Sequence, residues 1–235
     1  MTTTLITGAN KGLGFETARR LVAAGHTVYA GSRDEARGRR AAEELGARPL
    51  VLDVTDDASV AAAAKTVEAG GGLDVLVNNA GVEGRGAGNS VLAAADTTAD
   101  VMRTLFETNV FGLVRVTHAF LPLLRRSAAP VVVNVSSGLA SLTGLSDPTS
   151  PGYGYPGIAY PASKTAVNAI TVQYAKAFPD MRVNAVEPGF TATDLNGRTG
   201  TQPVEQGAEV IVRMAQLTPA GPTGTYSDTT GPLPW

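Results

Sequence analysis

Two textures alternate along this chain. Short, nearly unbroken apolar runs end in glycine, asparagine or serine. Between them lie longer stretches whose apolar positions recur every three or four residues. The first texture predicts strands covered on both faces, and the second predicts amphipathic helices. Strands are expected over residues 3–7, 27–32, 48–53, 73–77, 130–135 and 182–187, with a short one near 224–227. Helices are expected over 15–24, 34–45 and 58–68, across 97–126 as one or two, from Tyr160 through 165–177, and over 204–217. This alternation predicts an α/β fold: a doubly wound parallel sheet of about seven strands, with helices on both faces, filling residues 1–235 as a single domain. The glycine-rich segment 82–90 reads as a loop, 138–157 as a long loop, and 191–203, polar and glycine-containing, as a mobile flap.

Candidate chemistry collects where strands end. The first strand runs into Gly8, Asn10, Lys11, Gly12, Leu13 and Gly14, and a helix follows. A strand, glycine turn and helix can seat a pyrophosphate, because glycines let backbone N–H groups approach the anion and the helix N-terminus adds partial positive charge. The second strand ends in Gly31, Ser32 and Arg33, without the carboxylate that would bind a ribose 2′-hydroxyl and select NAD. A hydroxyl with the two cations Arg33 and Lys11 suits a 2′-phosphate, which favours NADPH/NADP+ over NADH; otherwise Arg33 simply opens a surface helix with Asp34 and Glu35. Arg37, Arg39 and Arg40 read as a solvated face. Asp53 and Val54 close the third strand, where a polar group meets an adenine or else caps the next helix.

Asn78, Asn79, Ala80 and Gly81 follow the fourth strand, and Asn109 lies in an apolar segment where its amide needs partners. Ser136 and Ser137 follow the fifth strand. Tyr160 and Lys164 stand one turn apart on one helix face. A lysine ammonium favours the phenolate and would bring the tyrosine towards a working range, while a serine hydroxyl holds a substrate oxygen. Alone, this spacing equally describes a capping tyrosine and a solvated lysine.

Composition narrows the field. Of 235 residues 43% are hydrophobic and 17% charged, with a formal net charge of −2 and no cysteine. That balance offers no footing for nucleic acid, and it excludes disulfides, thiolate metal sites and a cysteine nucleophile. His26 and His118 are isolated, so no metal is expected. No apolar run reaches the roughly 20 residues of a membrane span, and the N-terminus enters a strand at once, so no membrane partner and a cytoplasmic location are expected.

Together, Thr7, Gly8, Gly12 and Gly14, then Asn78 to Gly81, Asn109, Ser137, Tyr160 with Lys164, and Pro188 with Gly189 resemble the short-chain dehydrogenase/reductase family, in that family's order. The glycine turn and the Ser32–Arg33 pair resemble its NADPH-dependent carbonyl reductase branch. The resemblance implies a Rossmann fold binding NAD(P) and reducing a ketone or aldehyde, or running in reverse. It implies Tyr160 as acid/base, Lys164 lowering its pKa and binding the nicotinamide ribose, and Ser137 rather than Ser136 orienting substrate. Asn109 would hold a water of a proton relay, Asn78, Asn79, Ala80 and Gly81 would support the sheet and flank the cofactor, and Pro188, Gly189, Thr191 and Thr193 would fix the nicotinamide carboxamide. The long Ser137–Tyr160 interval leaves monomer, dimer and tetramer open, and makes Tyr153 and Tyr155 candidate substrate-wall residues. A competing reading, a catalytically silent NADP-binding regulator, is disfavoured because tyrosine, lysine and serine are all kept. Nucleotide-sugar epimerisation lacks the chain needed after the sixth strand.

Overall fold

A computed structural model describes residues 1–235, the side chain of Ala87 excepted. Seven parallel strands form one sheet in the order β3-β2-β1-β4-β5-β6-β7. They are β1 (Thr3–Ile6), β2 (Thr27–Ser32), β3 (Arg48–Val51), β4 (Val75–Asn78), β5 (Val131–Val135), β6 (Arg182–Val186) and β7 (Tyr226–Ser227). The order reverses between β1 and β4, which sets a crevice at their carboxyl ends.

The apolar runs are explained by what covers them. On one face Leu5, Leu76, Val132 and Val183 join Val60 and Val67 of α3 (Asp57–Ala69) and Val116 and Phe120 of α5 (Leu113–Leu124). On the other, Ile6, Val75, Val77, Val131 and Val133 meet Ala18 and Leu21 of α1 (Gly12–Ala23), Ala42 of α2 (Glu35–Leu45), and Ile211 and Met214 of α8 (Val204–Ala215). Successive strand residues thus enter opposite cores, as the two-residue period of a strand requires.

The expected strands and helices are all present, with ends that differ by a residue or a few. Asp34 lies outside α2 and caps it, accepting from the Arg37 N–H, and Gly46 ends the helix at φ 67°. The stretch 97–126 is one continuous rod: α4 (Ala99–Phe106), a π-helical turn over Glu107–Gly112, then α5. The loop 138–157 holds a 3-10 turn over Gly138–Ala140 and a short α6 (Leu142–Ser146) before α7 (Ala159–Ala177). The segment expected to be a mobile flap is instead self-bonded. Thr191 pairs with Gln202, and Thr193 and Asn196 cap the 3-10 turn Asp194–Asn196 reciprocally.

Candidate active site

Gly8 and Gly12 hold φ of 66° and 57°, which lets the backbone double back after β1. Thr7 is buried, and its hydroxyl accepts from the Asn79 and Ala80 N–H groups at 3.0 and 2.9 Å. The Asn79 amide donates to the Thr7 and Gly8 carbonyls at 2.8 and 3.2 Å. The segment after β4 is therefore clasped to the turn after β1. Asp34, Asp56 and Thr98 each cap a helix with a side chain, but α1 has none, for its N-cap is Lys11. Its first N–H groups face the crevice beside the glycine turn, the arrangement an anion needs.

Lys11 is not waiting beside Arg33. Its ammonium pairs at 2.9 Å with Asp194, across the crevice, and a Cβ on Gly12 would touch Thr193. Arg33 is exposed at the end of β2 and forms no ion pair among the described residues. The buried Ser32 hydroxyl donates to the Asp34 carbonyl at 2.9 Å, leaving its acceptor capacity. Arg37 and Arg39 are taken up by Asp34 and Glu35, as a solvated face should be. Burial acts to raise the Asp53 carboxyl, but hydrogen bonds from Thr55 and the charges of Arg33 and Arg115 hold it below its usual range. Val54 is buried against Gly112 and gives its carbonyl to Arg115 at 2.7 Å, so packing uses most of it. Asn10 and Leu13 are partly exposed in the glycine turn and at the start of α1, Leu13 packing towards Gly207.

Tyr160 is the second residue of α7, with Pro161 tolerated in the first turn. One turn on, the buried Lys164 sends its ammonium 2.8 Å to the Val135 carbonyl, the last residue of β5, and lies 5.7 Å from the Tyr160 ring centroid. The two serines after β5 part ways. Ser136 is buried and donates to the Asn168 Oδ1 at 2.7 Å, inside α7. The Ser137 hydroxyl faces the Tyr160 phenol and accepts from the Leu139 N–H at 3.2 Å.

Burial moves both titratable groups, and not in the direction expected for the tyrosine. It pushes the Tyr160 phenol well above its ordinary value; the Glu83 and Glu187 charges add to this and the facing Ser137 hydroxyl opposes it. Burial pulls Lys164 down to about 8. The ammonium that spacing alone marks as depressing the phenol is itself strained by desolvation.

Asn109 lies on the π-helical turn, 2% exposed. Its Oδ1 accepts from the Val82 N–H at 2.8 Å, and its Nδ2 donates to the Val82 carbonyl and the Ser163 hydroxyl, each at 2.9 Å. Ser163 in turn donates to the Tyr160 carbonyl at 2.8 Å. The side chain is thus fully employed in joining the loop after β4 to α7. A Cβ on Gly81 would come 3.3 Å from Asn109 Oδ1 and 3.5 Å from Lys164 Nζ, which places Gly81 over the same site. Pro188 and Gly189 (φ 78°) follow β6; the Pro188 carbonyl accepts from Thr191, which is buried, whereas Thr193 is partly exposed.

Of the two loop tyrosines, Tyr153 is exposed, while the Tyr155 phenol donates to Glu83 at 3.0 Å. Glu83 also takes a bidentate pair from Arg85 at 2.9 and 3.0 Å. A narrow cavity beside Tyr160 is lined by Glu83, Val91, Leu92, Val101 and Tyr155. Motif reading misses Glu83, Asp194, Glu187 and Tyr226, because none stands at a diagnostic spacing. Asn78 turns inward, donating to Thr117 and Asn134 at 3.0 and 2.9 Å, so it braces the sheet from within. His26 bonds Thr4 at 2.8 Å and His118 is exposed. No helix is long and apolar enough to cross a membrane among the described residues.

The profile of the family described as short chain dehydrogenase matches residues 2–203. A (+)-neomenthol dehydrogenase of Arabidopsis thaliana is 34% identical over 276 aligned positions, covering 92% of this chain and 93% of that protein. That alignment outruns the 235 residues here, so the relative carries insertions this chain lacks. A (−)-isopiperitenone reductase of Mentha piperita is 34% identical, over 94% of each chain. The structure of salutaridine reductase from Papaver somniferum superposes with a TM-score of 0.82 at 28% identity, covering 97% of this chain and all of that one.

Proposed function

The chain belongs to the short chain dehydrogenase family, and on that premise we propose an NADPH-dependent reductase that converts a ketone or aldehyde to an alcohol, and the alcohol back. The observation that carries this reading is the convergence of Ser137, Tyr160 and Lys164 at the end of β5, with the neighbouring Ser136 turned away.

The residues present fit the cofactor. The uncapped α1 and the glycine turn would hold its pyrophosphate, Arg33 and Ser32 its 2′-phosphate, Asp53 and Val54 its adenine, Lys164 its nicotinamide ribose, and Pro188, Gly189, Thr191 and Thr193 its carboxamide. Asn79, Ala80 and Gly81 would flank it. When bound, NADPH supplies the hydride, and the protein supplies orientation and electrostatics. Tyr160 then protonates the carbonyl oxygen, and Ser137 donates a second hydrogen bond as negative charge develops there. The raised phenol pKa keeps Tyr160 loaded for reduction. Lys164 lies close enough to offset the phenolate that forms. Asn109 ties α7 to the loop after β4, and a relay water at this point would use its main chain.

The substrate side combines polar and apolar groups, with Glu83, Thr97 and Tyr155 beside the residues that follow. Val91, Leu92 and Val101 line the cavity, and the loops that carry the site expose Leu142, Ile158 and Phe190. A ketone with apolar surface would meet Val91, Leu92, Val101 and the exposed side chains, in keeping with relatives named for neomenthol, isopiperitenone and salutaridine. The test is loss of NADPH absorbance with a panel of cyclic and aryl ketones and aldehydes. Turnover of apolar ketones is expected; NADPH binding without turnover of any member would favour the silent regulator instead.

Cofactor choice has its own test. Arg33→Ala is expected to raise the KM for NADPH by about 10–100-fold and that for NADH by less than about threefold, since only the former loses a charge-assisted contact. Equal losses would rule out a 2′-phosphate contact at Arg33.

A further inference from the structure

Two residues outside every motif meet on one peptide unit of the site. Tyr226, at the start of β7, is 2% exposed, and its ring stacks on Trp235 with centroids 5.6 Å apart. Its phenol donates to the Ser137 carbonyl oxygen at 2.5 Å. Glu187 follows β6, anchored through its own N–H to the Ser227 carbonyl at 2.9 Å. Its side chain lies over Gly138, where an added Cβ would stand 3.5 Å from its Oε1, and burial raises its carboxyl while the main chain at Gly138 and Gly189 opposes this. No ion pair among the described residues includes it.

The Ser137 carbonyl and the Gly138 N–H are the two ends of a single planar peptide. Tyr226 grips the oxygen end, and the Glu187 side chain packs against Gly138 at the other. We infer that Glu187 and Tyr226 are positioning residues: Tyr226 holds the Ser137 carbonyl and Glu187 packs over Gly138 beside it, so that together they clamp the Ser137–Gly138 peptide and aim the Ser137 hydroxyl at Tyr160. This rests on the reading of Ser137 and Tyr160 as the reacting pair. A merely structural Tyr226 would fill core volume and satisfy one carbonyl, and nothing would make its hydroxyl and the Glu187 charge matter together. The clamp makes them matter to rate and to proton affinity.

The electrostatic half has a definite sign. The groups that act on Tyr160 are Glu83, Glu187, Ser137 and the nearby Lys164, with Tyr155 and Tyr226 alongside. Glu83 is offset by its bidentate Arg85, whereas Glu187 faces only Asp228 and the two tyrosines. A carboxylate without a counter-cation favours the protonated phenol. Removing it must lower the proton affinity of Tyr160. The alkaline limb of reduction, where the phenol loses its proton, then moves to lower pH. The rising limb of alcohol oxidation moves the same way.

The experiment compares the whole chain with its Tyr226→Phe, Glu187→Gln and Tyr160→Phe variants, using a ketone that the panel identifies. Tyr226→Phe keeps the stack on Trp235 and removes one hydroxyl. Its kcat is expected to fall about 10–100-fold, with the Kd for NADPH within about twofold. Glu187→Gln keeps the side chain over Gly138 and removes the charge; both limbs are expected to shift about 0.5–1 pH unit downwards. A wild-type kcat in Tyr226→Phe, or unmoved limbs in Glu187→Gln, overturns the clamp provided Tyr160→Phe is inactive. An active Tyr160→Phe would instead remove the underlying assignment. If melting shows that Tyr226→Phe does not fold, the Glu187→Gln limbs decide alone.

Discussion

Tyr160→Phe is expected to lower the reduction rate by about 10²–10⁴-fold while leaving the Kd for NADPH within about twofold, because it removes a proton donor and little else. The ring stays, so the packing at the head of α7 and the approach of Lys164 to its face survive. The backbone carbonyl that accepts from Ser163 is untouched, so the link to Asn109 survives as well. What disappears is the proton that the carbonyl oxygen must receive as the hydride arrives. Water is a poor substitute, since the phenol sits where burial dominates its titration. Single-turnover decay of NADPH absorbance, with cofactor affinity measured separately by fluorescence, separates chemistry from binding. More than about a tenth of wild-type turnover would sink Tyr160 as the acid. Ser137→Ala should show a smaller loss of the same kind, since it removes one hydrogen bond to a developing charge rather than the proton itself.

The chain discloses its sheet readily for a physical reason. A parallel strand covered on both faces must be apolar throughout, so Val75, Leu76 and Val77, or Val131, Val132 and Val133, announce themselves although neighbours enter different cores. Strand ends are legible too, because turns after parallel strands need glycine and small polar residues. Asn78 to Gly81 and Gly8 to Gly14 both stand out as such ends, but that they clasp each other is seen only in the structure. The rest depends on contacts between residues far apart in the chain. The bond from Lys11 to Asp194 spans 183 residues, and the one from Tyr226 to Ser137 spans 89. No periodicity reports such pairings. The segment 191–203 looks loose by composition, but Thr191 and Asn196 are buried and bond within it. The sign of the Tyr160 shift was hidden for the same reason. Spacing reveals the lysine one turn away; it does not reveal the burial that outweighs it.

That topology gives the crevice a floor as well as walls. Thr7, at the end of β1, accepts from two N–H groups after β4, and Asn79 returns two bonds to the carbonyls of Thr7 and Gly8. These four bonds cross the switch point of the sheet, where a bound pyrophosphate would lie. Cofactor affinity should accordingly depend on how closely the turn seats on this segment, and not only on groups that touch the ligand.

Gly14→Ala tests that dependence, and its expected effect is a rise of about 10–100-fold in the Kd for NADPH together with a lower melting temperature. A Cβ at this position would stand 2.5 Å from Asn79 Nδ2 and 2.5 Å from the Gly8 carbonyl oxygen, with Ala9 Cα at 3.1 Å. Neither close atom is free to step aside. One is main chain, and the other is held by the Thr7 carbonyl at 2.8 Å. The turn itself must therefore lift away from the segment after β4, and overpacking of this kind costs about 1–3 kcal/mol, or roughly one to two powers of ten in an equilibrium constant. Helix propensity pulls the other way, since alanine is preferred to glycine by about 1 kcal/mol inside a helix. A net loss thus reports the contact rather than the backbone. Gly154→Ala supplies the comparison, for an added Cβ there meets nothing within 4 Å, and its affinity should match the wild type. If Gly14→Ala binds NADPH as tightly as Gly154→Ala does, the turn after β1 is not the pyrophosphate cradle. A loss confined to Gly14→Ala would mean that the seating of the turn, set by close contacts to Asn79 and to the Gly8 carbonyl, decides how well the phosphates are held.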